Sequence, residues 1–162
     1  MSVDEWAGFF AASAGAAAGL TGLIIVAMSV NIGTIIAIPS ITSRAGATIA
    51  ALVLAVVSSS AALIPAQPLW LLGAEVLAVG LAAACFAVES SYRVLADRGS
   101  GSLLAAAGKC LVLLVQVAPF LVGAALLVAG DTAGLGWIAG GVLAVFVGSV
   151  LNAWVLLVEI LR

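Results

Sequence analysis

Apolar residues run through this chain in five long blocks, broken by short clusters of proline, glycine and charge. A helix that crosses a bilayer needs about 20 mainly apolar residues, because the hydrocarbon core is about 30 Å thick and a helix rises about 1.5 Å per residue. Windows at 8–30, 45–64, 69–91, 103–128 and 135–161 reach that length. They predict a single all-α domain, a polytopic transmembrane helical bundle of about five spans. The connections carry the expected breakers: Pro65 and Pro68 around Ala66 and Gln67, Asp97 and Arg98 ahead of a Gly-Ser run, and Gly130 beside Asp131 and Thr132. Residues 31–43 are too short to cross again. Ile32, Ile35, Ile36 and Ile38 there fit an extension of the first helix or an interfacial turn of helix ending near Pro39.

Composition identifies the solvent. Of 162 residues, 65% are hydrophobic and 7% charged, with a mean hydropathy of +1.39. That leaves too few charges to clothe the surface of a water-soluble domain, so the medium is lipid. A net charge of −2 provides no basic stripe for phosphate backbones and excludes nucleic acid as a partner. Cys85 and Cys110 fall in or at the edge of apolar runs, where a small buried thiol is the usual occupant, and neither has a neighbour at metal-ligand spacing. Asp4 and Glu5 stand where a cleavable signal would be basic, and the apolar stretch that follows is too long and glycine-rich for one. It is expected to stay in the mature protein.

Orientation follows from the cations. With five spans, Arg44 in the first loop, Arg93, Arg98 and Lys109 around the third loop, and Arg162 all fall on one side. The excess of Lys and Arg in cytoplasmic loops makes that side cytoplasmic, with the N-terminus outside and the C-terminus cytoplasmic. Asp4, Glu5, the 65–68 turn and Asp131 then face outward, with Trp6, Trp70 and Trp137 as anchors near the outer boundary.

Within the spans, small and polar residues recur on shared faces. Gly8, Gly15, Gly22 and Ser29 repeat every seven residues, with Ala12 and Gly19 between them, and Gly15 and Gly19 form a small-xxx-small pair. Lipid gives no hydrophobic drive between helices, so small residues act by letting backbones approach. Two readings are open for this stripe: packing within the protomer, or self-association between protomers. Gly141 and Gly148 repeat the theme on the last span, followed on that face by Asn152 and Glu159. Gly136 and Gly140 add a second pair, while Lys109, Gln116 and Gly123 are aligned on the fourth span, which Pro119 is expected to kink. Glu75 and Glu89 share a face of the third span with Ala82, and these polar edges are expected to meet inside the bundle.

Glu75, two turns inside the outer end of its span, needs a partner, a proton or water, since insertion scales charge about 2.5–3.5 kcal/mol for an acid at the bilayer centre. With Ser58 and Ser59 nearby, and Gln116 and Asn152 as further polar groups, it forms a candidate ion or proton site; the other reading is a hydrogen-bonded structural acid. Glu89 and Glu159 are expected to pair with Arg93, Arg98 or Lys109. Histidine is absent, there is no nucleophile elbow or phosphate-binding glycine loop, and the aspartates lie in the tail or loops. No enzyme, metal or cofactor is expected.

Trp6, Phe9, Phe10, the run from Gly15 through Gly19 and Thr21 to Leu23, Ser29 through Ile32, Arg44-Ala45 and Pro65-Ala66-Gln67 carry a resemblance. The chain resembles small polytopic bacterial membrane proteins of unassigned function, which implies a multi-pass protein of the bacterial plasma membrane. Two functions are expected from the residues, with a lipid-handling or membrane-stress protein as a third possibility that the sequence does not separate from the first. One is a non-catalytic protein acting through helix packing, as a homo-oligomer or an accessory subunit of a membrane complex. The other is a small channel or transporter for protons, ions or small solutes built on Glu75 and the polar faces.

Overall fold

The computed structural model describes the backbone of residues 3–96 and 103–160, and side-chain surroundings for 5–93, 95–96, 108, 111, 112 and 114–155. Among the described residues the chain is all helix: α1 (Val3–Val30), α2 (Ile32–Ala37), α3 (Pro39–Ala61), α4 (Leu69–Ala96), α5 (Leu103–Val128) and α6 (Ala133–Ile160). Four stretches, Glu5–Val30, Pro39–Ala61, Leu69–Arg93 and Ala133–Val155, are long and apolar enough to cross a membrane. The described apolar part of α5, Leu114–Val128, is shorter. Leu23, Val30, Phe86, Val147 and Trp154 are among the large apolar side chains on the outside. Such a belt would drive aggregation in water and is solvated in lipid, so the fold is that of a helical membrane protein.

Helices α3, α4, α5 and α6 close a ring in which each packs on the next and α6 returns to α3. Helix α1 lies outside this ring, against α3 and the edge of α6. It packs through Phe10, Ala17 and Ile24, one buried residue every seven. The ring is filled by Leu52, Leu54, Val76, Phe120, Leu127, Ile138, Val142 and Val145. Dispersion contacts hold these together, because lipid is as apolar as they are.

Glycine sets the closeness of the ring. A Cβ added at Gly123 would sit 2.7 Å from the Gly134 carbonyl oxygen, and one at Gly134 would strike the Gly123 carbonyl in return. At Gly73 it would meet the Val128 backbone nitrogen at 2.7 Å, and at Gly141 the Phe120 ring at 2.7 Å. Helices α4, α5 and α6 therefore approach to backbone distance, where any side chain would force them apart.

The turns have local causes. Ile38, ahead of Pro39, is extended (φ −120°, ψ 107°), as the residue before proline prefers, and Pro39 opens α3 where its missing N–H is harmless. Thr42 Oγ1 donates to the carbonyls of Ile35 (2.6 Å) and Ile38 (3.2 Å), tying α2 to α3. Residues 31–43 are thus neither a sixth span nor an extension of α1, but a short helix and the first turn of α3. At the other end, Gly130 (φ 85°) closes α5: its N–H reaches Leu127 O and that of Asp131 reaches Leu126 O. Asp131 Oδ1 then accepts from the Ala133 N–H at 2.8 Å and starts α6.

Three expectations are corrected. Arg44 is not in a loop: α3 begins six residues before the expected 45, and Arg44 is buried within it. The Glu75, Ala82, Glu89 edge does not point into the bundle; Ala82 and Glu89 are exposed and Glu75 is half-buried, while Leu72, Val76, Ala83 and Ala87 face inward. Cys85 is exposed on the outer face of α4 rather than buried. The side chains of Lys109, Cys110 and Glu159, and residues Arg98 and Arg162, lie outside the described residues.

Candidate functional site

The densest polar group inside the bundle joins α3 to α6. Arg44 Nη2 donates to Asn152 Oδ1 (2.8 Å), Asn152 Nδ2 donates to Thr48 Oγ1 (2.8 Å), and Thr48 Oγ1 donates to the Arg44 carbonyl (2.9 Å). The three residues close a ring of hydrogen bonds, with Arg44 3% and Asn152 7% exposed. Arg44 and Thr48 are four residues apart, one above the other on α3, so both reach the same amide. Sequence reasoning missed Arg44 and Thr48, and the signal available was this i, i+4 spacing of polar residues following a proline.

One turn deeper, Gln116 of α5 lies 1% exposed against Gly148 of α6. A Cβ at Gly148 would come within 2.5 Å of Gln116 Nε2, so the glycine makes the space that the amide occupies. Gln116 Nε2 donates back to Val112 O at 3.0 Å. Among the described residues, Gln116 Oε1 and the fully buried Ser149 and Ser90 hydroxyls find no protein partner.

Glu75 stands at the opposite end of the bundle. Gln67, from the 62–68 turn, donates its Nε2 to Glu75 Oε2 at 2.7 Å. Ser58 and Ser59 of α3 are fully buried with no protein hydrogen-bond partner. The antiparallel register of α3 and α4, in which Gly80 faces Leu54 and Gly46 faces Phe86, puts Ser59 at the height of Glu75. Gln116 and Asn152 are not at that height. In the ring register, Gln116 is about ten residues from Glu75, roughly 15 Å along the axis. The five residues of the predicted ion site therefore form two groups. Leu54, Val76, Phe120, Val142 and Val145, all essentially buried, are packed between them.

The predicted packing glycines also divide. Gly141 and Gly148 pack against Phe120 and Gln116, whereas Gly8, Gly15, Gly19 and Gly22 have nothing within 4 Å of an added Cβ. The α1 stripe faces away from the protomer, on the side opposite Phe10, Ala17 and Ile24. Packing within the protomer is thus the role of Gly141 and Gly148 and not of the glycines on α1. Glu89 pairs with Arg93 on the exposed face of α4, Arg93 Nη2 lying 2.5 Å from Glu89 Oε1. Such an exposed i, i+4 pair contributes only about 0.3–0.5 kcal/mol. Among the described residues no group of three His, Cys, Asp or Glu could hold a metal ion.

Compared with known proteins, the chain matches no family model, no curated protein and no solved structure.

Proposed function

We propose that this chain is a non-catalytic, five-span protein of the bacterial plasma membrane that acts by assembly, with α1 as the helix offered to a partner. The observation that carries the reading is the contrast among its glycines. Gly73, Gly123, Gly134, Gly141 and Gly148 of the ring are crowded by neighbouring backbone or side chains, while Gly8, Gly15, Gly19 and Gly22 present a four-glycine stripe along α1 where an added Cβ would meet nothing within 4 Å. Exposed small-xxx-small faces let two helices approach closely in lipid. The stripe fits a second copy of the chain or the helix of another membrane subunit.

The fifth span of this reading is α5, whose helix runs 26 residues from Leu103 to Val128. The outward N-terminus and cytoplasmic C-terminus follow from the positions of Arg93, Arg98, Lys109 and Arg162, and the bacterial setting from the resemblance of the first span. Arg44 adds its charge at the same end, inside the bundle. A channel or transporter would have to carry its substrate past Leu54, Val76, Phe120, Val142 and Val145, so assembly is preferred.

Native mass spectrometry and cysteine crosslinking in mild detergent test the proposal. The expected result is an oligomer, or a co-purified partner, that is lost on Gly15→Leu with Gly19→Leu and kept on Gly136→Leu. A monomer without a partner, crosslinked by nothing through α1, would sink it.

A further inference from the structure

An open groove of about 600 Å³ runs along the outer face of α4. Its described walls are two neighbouring rows of that helix: Leu81, Cys85 and Glu89 at four-residue steps, with Ala84, Val88 and Tyr92 beside them. From Leu81 to Tyr92 the helix rises about 16 Å, half of a ~30 Å hydrocarbon core and so the depth of one leaflet. Glu89 stands about 30 Å along α4 from its start at Leu69, which puts this end of the groove at a membrane boundary and the Leu81 end near the bilayer centre.

The boundary end carries a charge pair. Arg93, next in the row after Glu89, donates from Nε (3.1 Å) and from Nη2 to Glu89 Oε1. Both bonds fall on Oε1, so among the described residues Oε2 has no donor, and the guanidinium keeps N–H groups beyond the two in use. Arg93 is 47% and Glu89 54% exposed, open to whatever lies alongside the helix.

We propose that this groove binds a zwitterionic phospholipid whose headgroup ends in a primary ammonium, as in phosphatidylethanolamine. The ammonium sits on Glu89 Oε2, the phosphate on Arg93, and one acyl chain along Leu81, Ala84, Cys85 and Val88. Each part follows from the chemistry present. The headgroup holds a cation and an anion a short link apart, and Glu89 and Arg93 offer the opposite charges one helical turn apart. A primary ammonium brings three N–H donors to a carboxylate oxygen that lacks one, and a guanidinium fork suits phosphate. A choline headgroup has the charge but no N–H to donate. A phosphatidylglycerol headgroup has no cation and sets its phosphate against the Glu89 carboxylate, so it is disfavoured by repulsion. Tyr92, 74% exposed beside the pair, suits the boundary between headgroups and chains. The inference does not rest on assembly, since every residue it uses lies on α4 of one protomer and none on α1.

The test is native mass spectrometry of the full chain in mild detergent, titrated with phosphatidylethanolamine, phosphatidylcholine and phosphatidylglycerol of matched acyl chains. Phosphatidylethanolamine should be retained over each of the others by about fivefold or more. Glu89→Gln should bring it down to the phosphatidylcholine level; the side chain is exposed, so the variant should fold. Ala84→Phe fills the groove, leaves the pair in place and should lower retention of the favoured lipid. Ala74→Phe, also exposed but on the other half of α4, should change nothing. Equal retention of the three lipids by the unaltered chain, or a preference that survives Glu89→Gln, would overturn the proposal. So would equal losses from Ala84→Phe and Ala74→Phe. Displacement of the lipid by an equal concentration of soluble glycerophosphoethanolamine would overturn it as well, by making the site one for the headgroup alone.

Discussion

Arg44 Nη2 and Asn152 Oδ1 are 2.8 Å apart across the α3–α6 interface, although 108 residues separate them in the chain. The bond closes the helical ring at its Arg44 end. Asn152→Leu removes one acceptor of a buried guanidinium and the donor to Thr48 together, and is expected to destabilise the bundle by about 2–3 kcal/mol. Thr48→Val leaves the charged bond intact and is expected to cost about 1 kcal/mol. Unfolding in mixed micelles, followed by circular dichroism, would show the order; equal losses would mean that the charge plays no special part.

Gln116 and Gly148 form a second, nearly independent test. Gly148→Ala pushes a methyl into the Gln116 amide and should destabilise by about 1–3 kcal/mol. In a Gln116→Ala background that penalty should largely vanish, because the amide no longer fills the space. A double-mutant cycle measures the coupling, and strict additivity would contradict the packing described.

Gly123 and Gly134 each turn the bare α-carbon toward the other's carbonyl oxygen, so backbone stands where a side chain would have to go. Gly134→Val is therefore expected to separate α5 from α6 and to abolish a folded, monodisperse species on size exclusion. Gly136→Val, two residues away and open to the outside, should leave elution unchanged.

The two turns on the Glu75 side respond in opposite senses. Gly130 has φ 85°, so Gly130→Ala should cost about 1 kcal/mol or more. Ala66 holds φ 56° against its own preference, so Ala66→Gly should be neutral or stabilise by up to about 1 kcal/mol. Thermal scans of the two variants in one detergent would check the contrast.

Topology is testable by labelling. In a chain carrying Cys85→Ser and Cys110→Ser, Asp131→Cys should react with an impermeant maleimide from outside intact cells, and Ser100→Cys only after lysis. The reverse pattern would invert the proposed orientation.

The helices were legible because each is a long apolar run ended by proline, glycine or charge. Their facing was less so, for reasons visible in α1. That helix carries two stripes of seven-residue period, Gly8, Gly15, Gly22 and Phe10, Ala17, Ile24, about two residues apart. Periodicity identifies both and does not say which one packs; the larger side chains did, and the glycines were left outside. Arg44 was misplaced by a rule that sends charge to loops, which fails where an amide on a distant helix, itself held by a threonine one turn on, accepts from the guanidinium. The candidate ion site grouped Glu75 with Gln116 and Asn152 by residue type, and only the antiparallel register reveals that they occupy opposite ends.

Helix α1 lies beside a ring that closes without it, and this gives the chain a timetable. It leaves the ribosome before any member of the ring exists, and between Trp6 and Val30 it carries no charged residue to hinder a solitary stay in lipid. Its Phe10 face stays unclaimed until α3 is made. Its glycine face is still unclaimed after the protomer is complete. A neighbouring nascent chain thus meets the same surface early or late, so pairing through α1 need not wait for the rest of the molecule to fold.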